Sequence, residues 1–148
     1  MVWSPRVTVA AVIVDDAGRH LLVEEAPDGH TVFNQPAGHL EQGEGLLDAV
    51  CREVREETCH DFQPRSLVGI YQWVSPRGDT YLRFCFHGTA TQAPADCRRD
   101  PDIIQTHWLD PDDVAHGKAA LRSPMVMQCI RDFQAGGQLP LETLHEMA

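Results

Sequence analysis

The sequence predicts an α/β layered domain, in which a mixed β-sheet is covered by helices. Short runs rich in valine and aromatic residues, typical of strands, are interspersed with fewer segments that carry helical signals. This alternation favours a layered α/β class over an all-β or all-α one. With 148 residues, 43% of them apolar and 23% charged, the chain is expected to form one domain, residues 1–148.

The strands are predicted from valine-rich and aromatic runs bounded by turn residues. Asp15 and Gly18 lie in a turn that joins the first two runs, which are therefore expected to form a hairpin. A loop with proline and glycine at residues 75–79 joins the fourth and fifth runs into a second hairpin. The six predicted strands are residues 6–14, 21–23, 31–33, 66–74, 80–90 and 103–109.

Three helices are predicted, over residues 43–58, 111–116 and 123–135. The first has the strongest apolar periodicity, and the second is one short turn. In the third, Ser123 is expected to cap the amino terminus, with Pro124 at the first helical position. Gly136 and Gly137 should end that helix.

Composition and charge narrow the functional classes. Twelve Lys and Arg against 22 Asp and Glu give a net charge of −10, which disfavours a nucleic-acid partner. The longest apolar run, residues 9–14, is too short to span a membrane, and the first residues lack the features of a signal peptide. We therefore expect a cytoplasmic protein with no membrane or nucleic-acid partner.

The cysteines are scattered, odd in number and without a C-x-x-C motif. A disulfide framework or a thiolate zinc site is therefore not expected. They are interpreted as reduced thiols, most of them small core residues: Cys51, Cys59, Cys85, Cys97 and Cys129.

Three carboxylates share one side of the first predicted helix. At about 100° per residue, Glu53, Glu56 and Glu57 fall within an arc of about 100°, beside the apolar stripe that should pack on the sheet. Like charges about 4 Å apart repel by about 1–4 kcal/mol, depending on the local dielectric. Oxygen ligands of this kind favour Mg²⁺, with Mn²⁺ as a substitute. The alternative is a solvated acidic face held by i,i+4 pairs such as Arg52 with Glu56.

The residues around this helix favour the metal interpretation. The pattern G-x5-E-x7-R-E-V-x-E-E resembles the signature of the Nudix hydrolases, with seven of its nine specified positions matched. Cys59 and His60 depart from it, since the family usually has glycine and an apolar residue there. A cysteine must adopt a left-handed conformation at a cost of about 1–2 kcal/mol, or the helix must end differently. The matching residues are Gly38, Glu44, Arg52, Glu53, Val54, Glu56 and Glu57.

The resemblance implies a Nudix-type α/β/α sandwich and assigns roles by position. It implies that Glu53, Glu56 and Glu57 are metal ligands, with the Gly38 carbonyl oxygen as a fourth. It makes Glu44 a structural support that pairs with Arg52, and Glu57 a candidate general base. A further acid outside the motif often completes the site; Asp100 and Asp102 are the candidates, and Asp102 is preferred.

Similarity in further segments points to a bacterial phosphatase group within the family. It implies a monomeric hydrolase that releases orthophosphate from nucleoside tri- and diphosphates, hydroxymethylpyrimidine diphosphate and thiamine diphosphate. The alternative is a pyrophosphohydrolase acting on another nucleoside diphosphate derivative: a nucleotide sugar, a dinucleoside polyphosphate or an oxidised nucleotide. A catalytically silent module is disfavoured because the acidic residues and the arginine of the motif are all present.

Substrate contacts are predicted from side-chain chemistry. Trp73 and Gln72 suit a planar base, by stacking and by hydrogen bonding, although a tryptophan that completes the core is the competing interpretation. Guanidinium groups match phosphate oxygens, so Arg6, Arg83 and Arg122 are candidate phosphate contacts, each with a surface ion pair as its alternative. His39 lies next to Gly38, but oxygen-coordinated cations need no imidazole.

Overall fold

The computed structural model describes residues 1–147, which form two sheets and three α-helices. A mixed sheet has the order β4-β1-β6-β5-β8, and an antiparallel sheet has the order β3-β2-β7. The strands are β1 (Arg6–Val12), β2 (His20–Glu25), β3 (Val32–Asn34), β4 (Ala37–His39), β5 (His60–Val74), β6 (Thr80–Gln92), β7 (Ile103–Leu109) and β8 (Leu139–Pro140). The helices are α1 (Leu46–Thr58), α2 (Pro111–Ala115) and α3 (Pro124–Gln134), and a 3-10 turn follows at Leu141–Thr143.

Alternate residues of β1 face two different helices. Val9 and Ala11 pack in a core cluster with Val50 and Val54 of α1. Ala10 and Val12, which point to the opposite face of the strand, pack with Cys129 of α3. Because helices cover both faces of the mixed sheet, the expected α/β/α sandwich is confirmed.

The predicted hairpin between the first two strands forms only next to its turn, where Val14 and His20 make an isolated antiparallel bridge and the Leu21 amide donates to the Ile13 carbonyl oxygen at 2.9 Å. The turn at residues 15–18 exists, but β1 pairs with β4 on one side and with β6 on the other. Both edges of β1 are therefore occupied, and β2 pairs with β3 and β7 in the second sheet. The cavity described below opens between these sheets and the helices, so the divergence of β2 from β1 makes room for it.

The second predicted hairpin is confirmed, and its register matters for the site. Val74 lies opposite Thr80 across the loop of residues 75–79, and Trp73 lies opposite Tyr81. Gly78 has a φ of +89°, which favours glycine at this turn. The pairing of the long antiparallel strands β5 and β6 carries the tip of the hairpin towards the cavity.

Helix ends follow local chemistry in two ways. Ser123 caps α3 as predicted, since its hydroxyl oxygen accepts a hydrogen bond from the Met125 amide at 3.2 Å. Helix α1 begins after Gly45, which has no side chain for capping. The carboxylate of Glu146, near the other end of the chain, instead accepts the Leu47 amide at 3.2 Å. A negative group at this position also interacts favourably with the helix dipole.

None of the helices in residues 1–147 is long and apolar enough to cross a membrane.

We predict that Glu146→Gln lowers the stability of the protein by about 0.5–1 kcal/mol, because the helix loses a charged cap at its amino terminus. For a domain of this size the melting temperature should fall by roughly 1–4 °C. Thermal unfolding followed by circular dichroism measures this. Glu142→Gln is the matched control, since Glu142 is exposed on the same tail. Equal melting temperatures for the two variants would contradict a capping role.

Candidate active site

Helix α1 presents its acidic side to a cavity of about 780 Å³. The cavity lies between α1, strand β4, the tip of the β5–β6 hairpin and the start of α3. Its lining brings together most of the predicted site residues: Gly38, Arg52, Glu53, Glu56, Glu57, Trp73, Arg83 and Arg122.

Arg52 organises the carboxylates of this side of α1. Its Nε and Nη2 donate to the two oxygens of Glu44 at 2.7 and 2.9 Å, and Nη1 donates to Glu53 at 2.8 Å and to Glu56 at 3.3 Å. Nη2 also donates to the His39 carbonyl oxygen at 3.0 Å. The guanidinium lowers the pKa of Glu44 to about 2, chiefly through the side-chain hydrogen bonds. The structure thus contains the expected ion pair of Arg52 with Glu44.

Glu53 lies directly against strand β4. Its carboxyl group occupies the space that a Cβ atom on Gly38 would need, so any larger residue at position 38 would overlap it. Burial raises the pKa of Glu53, while its bond to Arg52 acts in the opposite direction. The Gly38 backbone and the Glu53 carboxylate are therefore adjacent, as the resemblance implies.

Glu57 is partly buried, whereas Glu56 is exposed. One of its oxygens accepts the Ala37 amide at 2.8 Å. Burial raises the pKa of Glu57 to about 9, and the carboxylates of Glu53, Glu25 and Asp100 add to this shift against the effect of the hydrogen bond. The local field therefore lacks positive charge, and a divalent cation would stabilise the ionised carboxylate.

The three glutamates face one cavity, but they do not form a ready-made ligand cluster. Within residues 1–147, no three Asp, Glu, His or Cys side chains are arranged to hold a metal ion. Glu53 and Glu56 accept hydrogen bonds from Arg52, and Glu57 accepts one from the Ala37 amide. The donor set still fits a hard cation, because the Glu53 carboxylate lies against the Gly38 backbone and the Glu57 carboxylate accepts the neighbouring Ala37 amide, so that carboxylate oxygens lie together at one end of the cavity.

The structure brings Asp100, and not Asp102, to the cavity. The Asp100 amide donates to the Glu56 carbonyl oxygen at 2.7 Å, which holds this residue at the end of α1, and Asp100 lines the cavity. Asp102 is exposed, does not line the cavity, and its amide donates to the Asp100 carboxylate at 2.9 Å. The sequence offered no criterion for choosing between the nearby residues Asp100 and Asp102. In the structure, the hydrogen bond to the Glu56 carbonyl oxygen at the end of α1 brings Asp100 to the cavity.

The interpretation of all five cysteines as reduced thiols is wrong for two of them. Cys59 and Cys97 form a disulfide across a sequence separation of 38 residues. Cys59 ends α1 in the left-handed conformation, with φ of 53° and ψ of 43°. The bond ties the end of α1 to the segment that carries Asp100. Cys51, Cys85 and Cys129 are free, and the last two are fully buried in the core as expected.

Two of the predicted substrate contacts lie elsewhere. The Gln72 side chain is exposed and absent from the cavity lining, because neighbouring residues of a strand point to opposite faces and Trp73 takes the inner one. Arg6 is half-exposed and pairs with Asp79 at 3.4 Å. Arg122 does line the cavity, where its Nη1 lies 2.7 Å from a Glu25 oxygen.

Tyr81 is a site residue that the sequence reasoning missed. Its ring lies beside that of Trp73, with centroids 5.7 Å apart and an angle of 32° between the planes, and both rings line the cavity. The length of the loop at residues 75–79 could have indicated this position, because a five-residue loop between antiparallel strands sets Tyr81 opposite Trp73. The two rings form an aromatic surface at the far end of the cavity from α1.

This fold and this acidic helix define a class of protein. The family model described as the NUDIX domain matches residues 4–129, so the chain belongs to the Nudix hydrolase family. It is therefore a hydrolase acting on phosphoanhydride bonds, in a family that generally uses divalent metal ions.

Individual relatives agree with this assignment. Phosphatase NudJ from Escherichia coli O1:K1 / APEC is 38% identical over 142 residues, which cover 96% of this chain and 92% of that protein. A NUDIX hydrolase from Nitrosomonas europaea has a TM-score of 0.92 at 46% identity, over 97% of this chain and 98% of its own. The E. coli dihydroneopterin triphosphate pyrophosphohydrolase has a TM-score of 0.69 at 18% identity, over 90% and 99%, and shares the fold.

We predict that Cys97→Ser lowers the free energy of unfolding by about 2–4 kcal/mol, because the unfolded chain regains the freedom of a loop of 38 residues. Urea denaturation without reductant measures this. Wild-type protein treated with dithiothreitol should show a similar loss. An unchanged urea midpoint in both experiments would contradict a disulfide in the folded protein.

Without the disulfide, the conformation of residue 59 can be tested separately. Because Cys59 has a positive φ, Cys59→Gly in the Cys97→Ser background should be about 1 kcal/mol more stable than Cys59→Ala in that background. The same urea titration compares them. An alanine variant at least as stable as the glycine variant would show that α1 does not end in a left-handed residue.

Proposed function

We propose that this protein is a Mg²⁺-dependent phosphatase that cleaves nucleoside tri- and diphosphates and thiamine-pathway diphosphates, releasing orthophosphate. The thiamine-pathway substrates are hydroxymethylpyrimidine diphosphate and thiamine diphosphate. The observation that carries the proposal is that the buried Glu53 carboxylate and the partly buried Glu57 carboxylate face the cavity that Trp73 and Tyr81 also line. Carboxylates bind the phosphate groups of a substrate through a cation, and aromatic side chains stack on a planar ring. The similarity to Phosphatase NudJ supports orthophosphate as the product.

Four groups of the chain are proposed to bind the cation. Glu53, Glu56, Glu57 and the Gly38 carbonyl oxygen are the groups that would hold Mg²⁺, or Mn²⁺ in its place. When bound, the cation supplies positive charge for the phosphate oxygens and makes a water a better nucleophile.

Arg52 keeps Glu53 and Glu56 on the cavity side of α1, which orients these carboxylates. The Glu57 carboxylate lines the cavity and accepts the Ala37 amide, which fixes its orientation, so Glu57 is the candidate to accept the proton of the attacking water. Asp100 lies in the same cavity and is the second candidate. The attack is in line at phosphorus.

Partners and location follow the sequence-based expectations only in part. Hydrolases of this family act on small molecules. A monomer, without nucleic-acid or membrane partners, stays a prediction that rests on the net charge of −10 and on the resemblance. A cytoplasmic location also stays a prediction. The Cys59–Cys97 bond removes one argument for it, because disulfides are uncommon in reducing compartments.

We predict that Glu53→Gln folds normally but loses at least about 100-fold in kcat with Mg²⁺, because the amide keeps the shape of the side chain and removes a charged oxygen ligand. Initial rates of phosphate release measure this, and circular dichroism checks the fold. Asp48→Asn is the matched control, since Asp48 is on the exposed side of the same helix. Turnover of Glu53→Gln at the wild-type rate would contradict the proposed role of α1.

The phosphate products distinguish a phosphatase from a pyrophosphohydrolase. Incubation of ATP with Mg²⁺ should release orthophosphate directly, and ³¹P NMR should show no pyrophosphate. Colorimetric assays with and without added pyrophosphatase should agree for ATP, thiamine diphosphate and hydroxymethylpyrimidine diphosphate. A signal that depends on pyrophosphatase, or activity confined to nucleotide sugars, dinucleoside polyphosphates or oxidised nucleotides, would favour the alternative pyrophosphohydrolase.

A further inference from the structure

Arg83 is a buried cation without a carboxylate partner among residues 1–147. Its exposed fraction is 4%, and no acidic oxygen of the described residues lies within 4.0 Å of it. Arg52 and Arg122, the cavity arginines with ion pairs, both contact glutamates. Arg83 is held by two neutral oxygens, with Nη1 donating to Gln35 at 2.8 Å and Nη2 to Asn34 at 3.0 Å. The Cys129 thiol also lies beside the guanidinium. Buried arginine side chains are rare unless paired, and none of the carboxylates of the described residues pairs with Arg83, so an acceptor on a bound molecule would supply the missing partner.

Thr8 adds a second unpartnered group beside Arg83. The two residues are direct partners in the parallel pair of β1 and β6, so their side chains share one face of the sheet. The Thr8 hydroxyl and the Arg83 Nε are both buried, and neither has a hydrogen-bond partner among the described residues. Such groups cost about 1–3 kcal/mol each when unsatisfied. Because Thr8 and Arg83 both line the cavity, they form part of its floor, and a bound molecule would approach their unpaired groups.

The strand order locates this floor relative to the carboxylates. Gly38 is on β4 and Arg83 is on β6, two strands away, which corresponds to about 10 Å between backbones. Tyr81 lies two residues from Arg83 on the same face of β6, and Trp73 lies opposite Tyr81 on β5. A substrate with its phosphates at Glu53 therefore extends over Thr8 and Arg83 with the part that is not hydrolysed.

The remaining donors suit the edge of a ring better than a phosphate. Phosphate recognition by arginine commonly uses two parallel N–H donors of the planar fork. In Arg83 both terminal nitrogens are already fixed by amide oxygens, which leaves single N–H groups and the Thr8 hydroxyl. Isolated donors beside an aromatic surface fit the carbonyl oxygens and ring nitrogens of a stacked heteroaromatic ring.

We infer that Thr8 and Arg83 form a specificity subsite, which hydrogen-bonds the acceptor edge of a heteroaromatic ring stacked on Trp73 and Tyr81. This inference rests on the proposed function and deepens it. The subsite selects substrates with a planar, acceptor-bearing ring over phosphoanhydrides that lack one. Arg83 thereby becomes a contact to the ring, and not to the phosphates.

The test is binding of uridine 5′-monophosphate and ribose 5-phosphate with Mg²⁺ present; both carry a 5′-phosphate, and uridine monophosphate has a uracil ring where ribose 5-phosphate has a hydroxyl group. Isothermal titration calorimetry compares the wild type with Arg83→Met, which keeps an unbranched side chain and removes its charge and donors. We expect wild-type protein to prefer uridine monophosphate. In the variant, binding of uridine monophosphate should weaken at least about 10-fold, while binding of ribose 5-phosphate changes less than about 2-fold.

Three outcomes would overturn the inference. A wild type that binds both molecules equally has no ring subsite. Equal weakening of both molecules in Arg83→Met would assign the arginine to the phosphate. Unchanged binding of uridine monophosphate would leave Arg83 with a structural role only.

Two further variants support the comparison. Arg131→Met, at an exposed position of α3, is the matched control and should bind as the wild type does. Thr8→Val keeps the shape of a β-branched strand residue and removes the hydroxyl, so it carries the test if Arg83→Met fails to fold. Thr8→Val should weaken the binding of uridine monophosphate about 3- to 10-fold and leave the binding of ribose 5-phosphate unchanged. Equal effects on the binding of both molecules would again overturn the inference.

This readout is independent of catalysis. Neither molecule contains a phosphoanhydride bond, so a protein that releases no phosphate from ATP could still show the ring preference. Conversely, an active Mg²⁺-dependent phosphatase without ring preference would refute only the subsite.

Discussion

The site depends on one guanidinium group. Arg52 joins Glu44 of the preceding loop, Glu53 and Glu56 of α1, and the His39 carbonyl of β4 in a single set of hydrogen bonds. Its positive charge allows several carboxylates to remain close together, which their mutual repulsion would otherwise oppose. It also ties the helix to the sheet edge. The close approach of the Glu53 carboxylate to the Gly38 backbone is possible only because position 38 has no side chain.

The division of the strands between two sheets gives this helix its cavity. Strand β1 is paired on both edges, so β2 leaves it and builds the second sheet with β3 and β7. The space between the sheets is bordered by carboxylates of α1 beside β4 and by aromatic rings of β5 and β6. An elongated molecule with a charged end and a planar end matches this polarity. The order of strands across the sheet thus corresponds to the order of chemical groups along the proposed substrate.

The sequence was most informative where structure is decided locally. The span of β7, the cap of α3 by Ser123 and the acidic side of α1 follow from residue spacing, and the structure has all three. The errors concern contacts between distant segments. The hairpin of the first two strands is limited to the residues next to its turn, because β4 and β6 occupy both edges of β1. The Cys59–Cys97 pair and the inward position of Asp100 also depend on long-range packing, which single-residue chemistry does not encode.

The central claim is that the carboxylates of α1 hold a hard cation in this cavity. Mn²⁺ binding, followed by electron paramagnetic resonance in the presence of a non-hydrolysable nucleotide analogue, tests it most directly. The account predicts saturable binding by the wild type and by Asp48→Asn, and a loss of at least about 10-fold in affinity for the double variant Glu53→Gln/Glu57→Gln. Wild-type affinity in the folded double variant would contradict it.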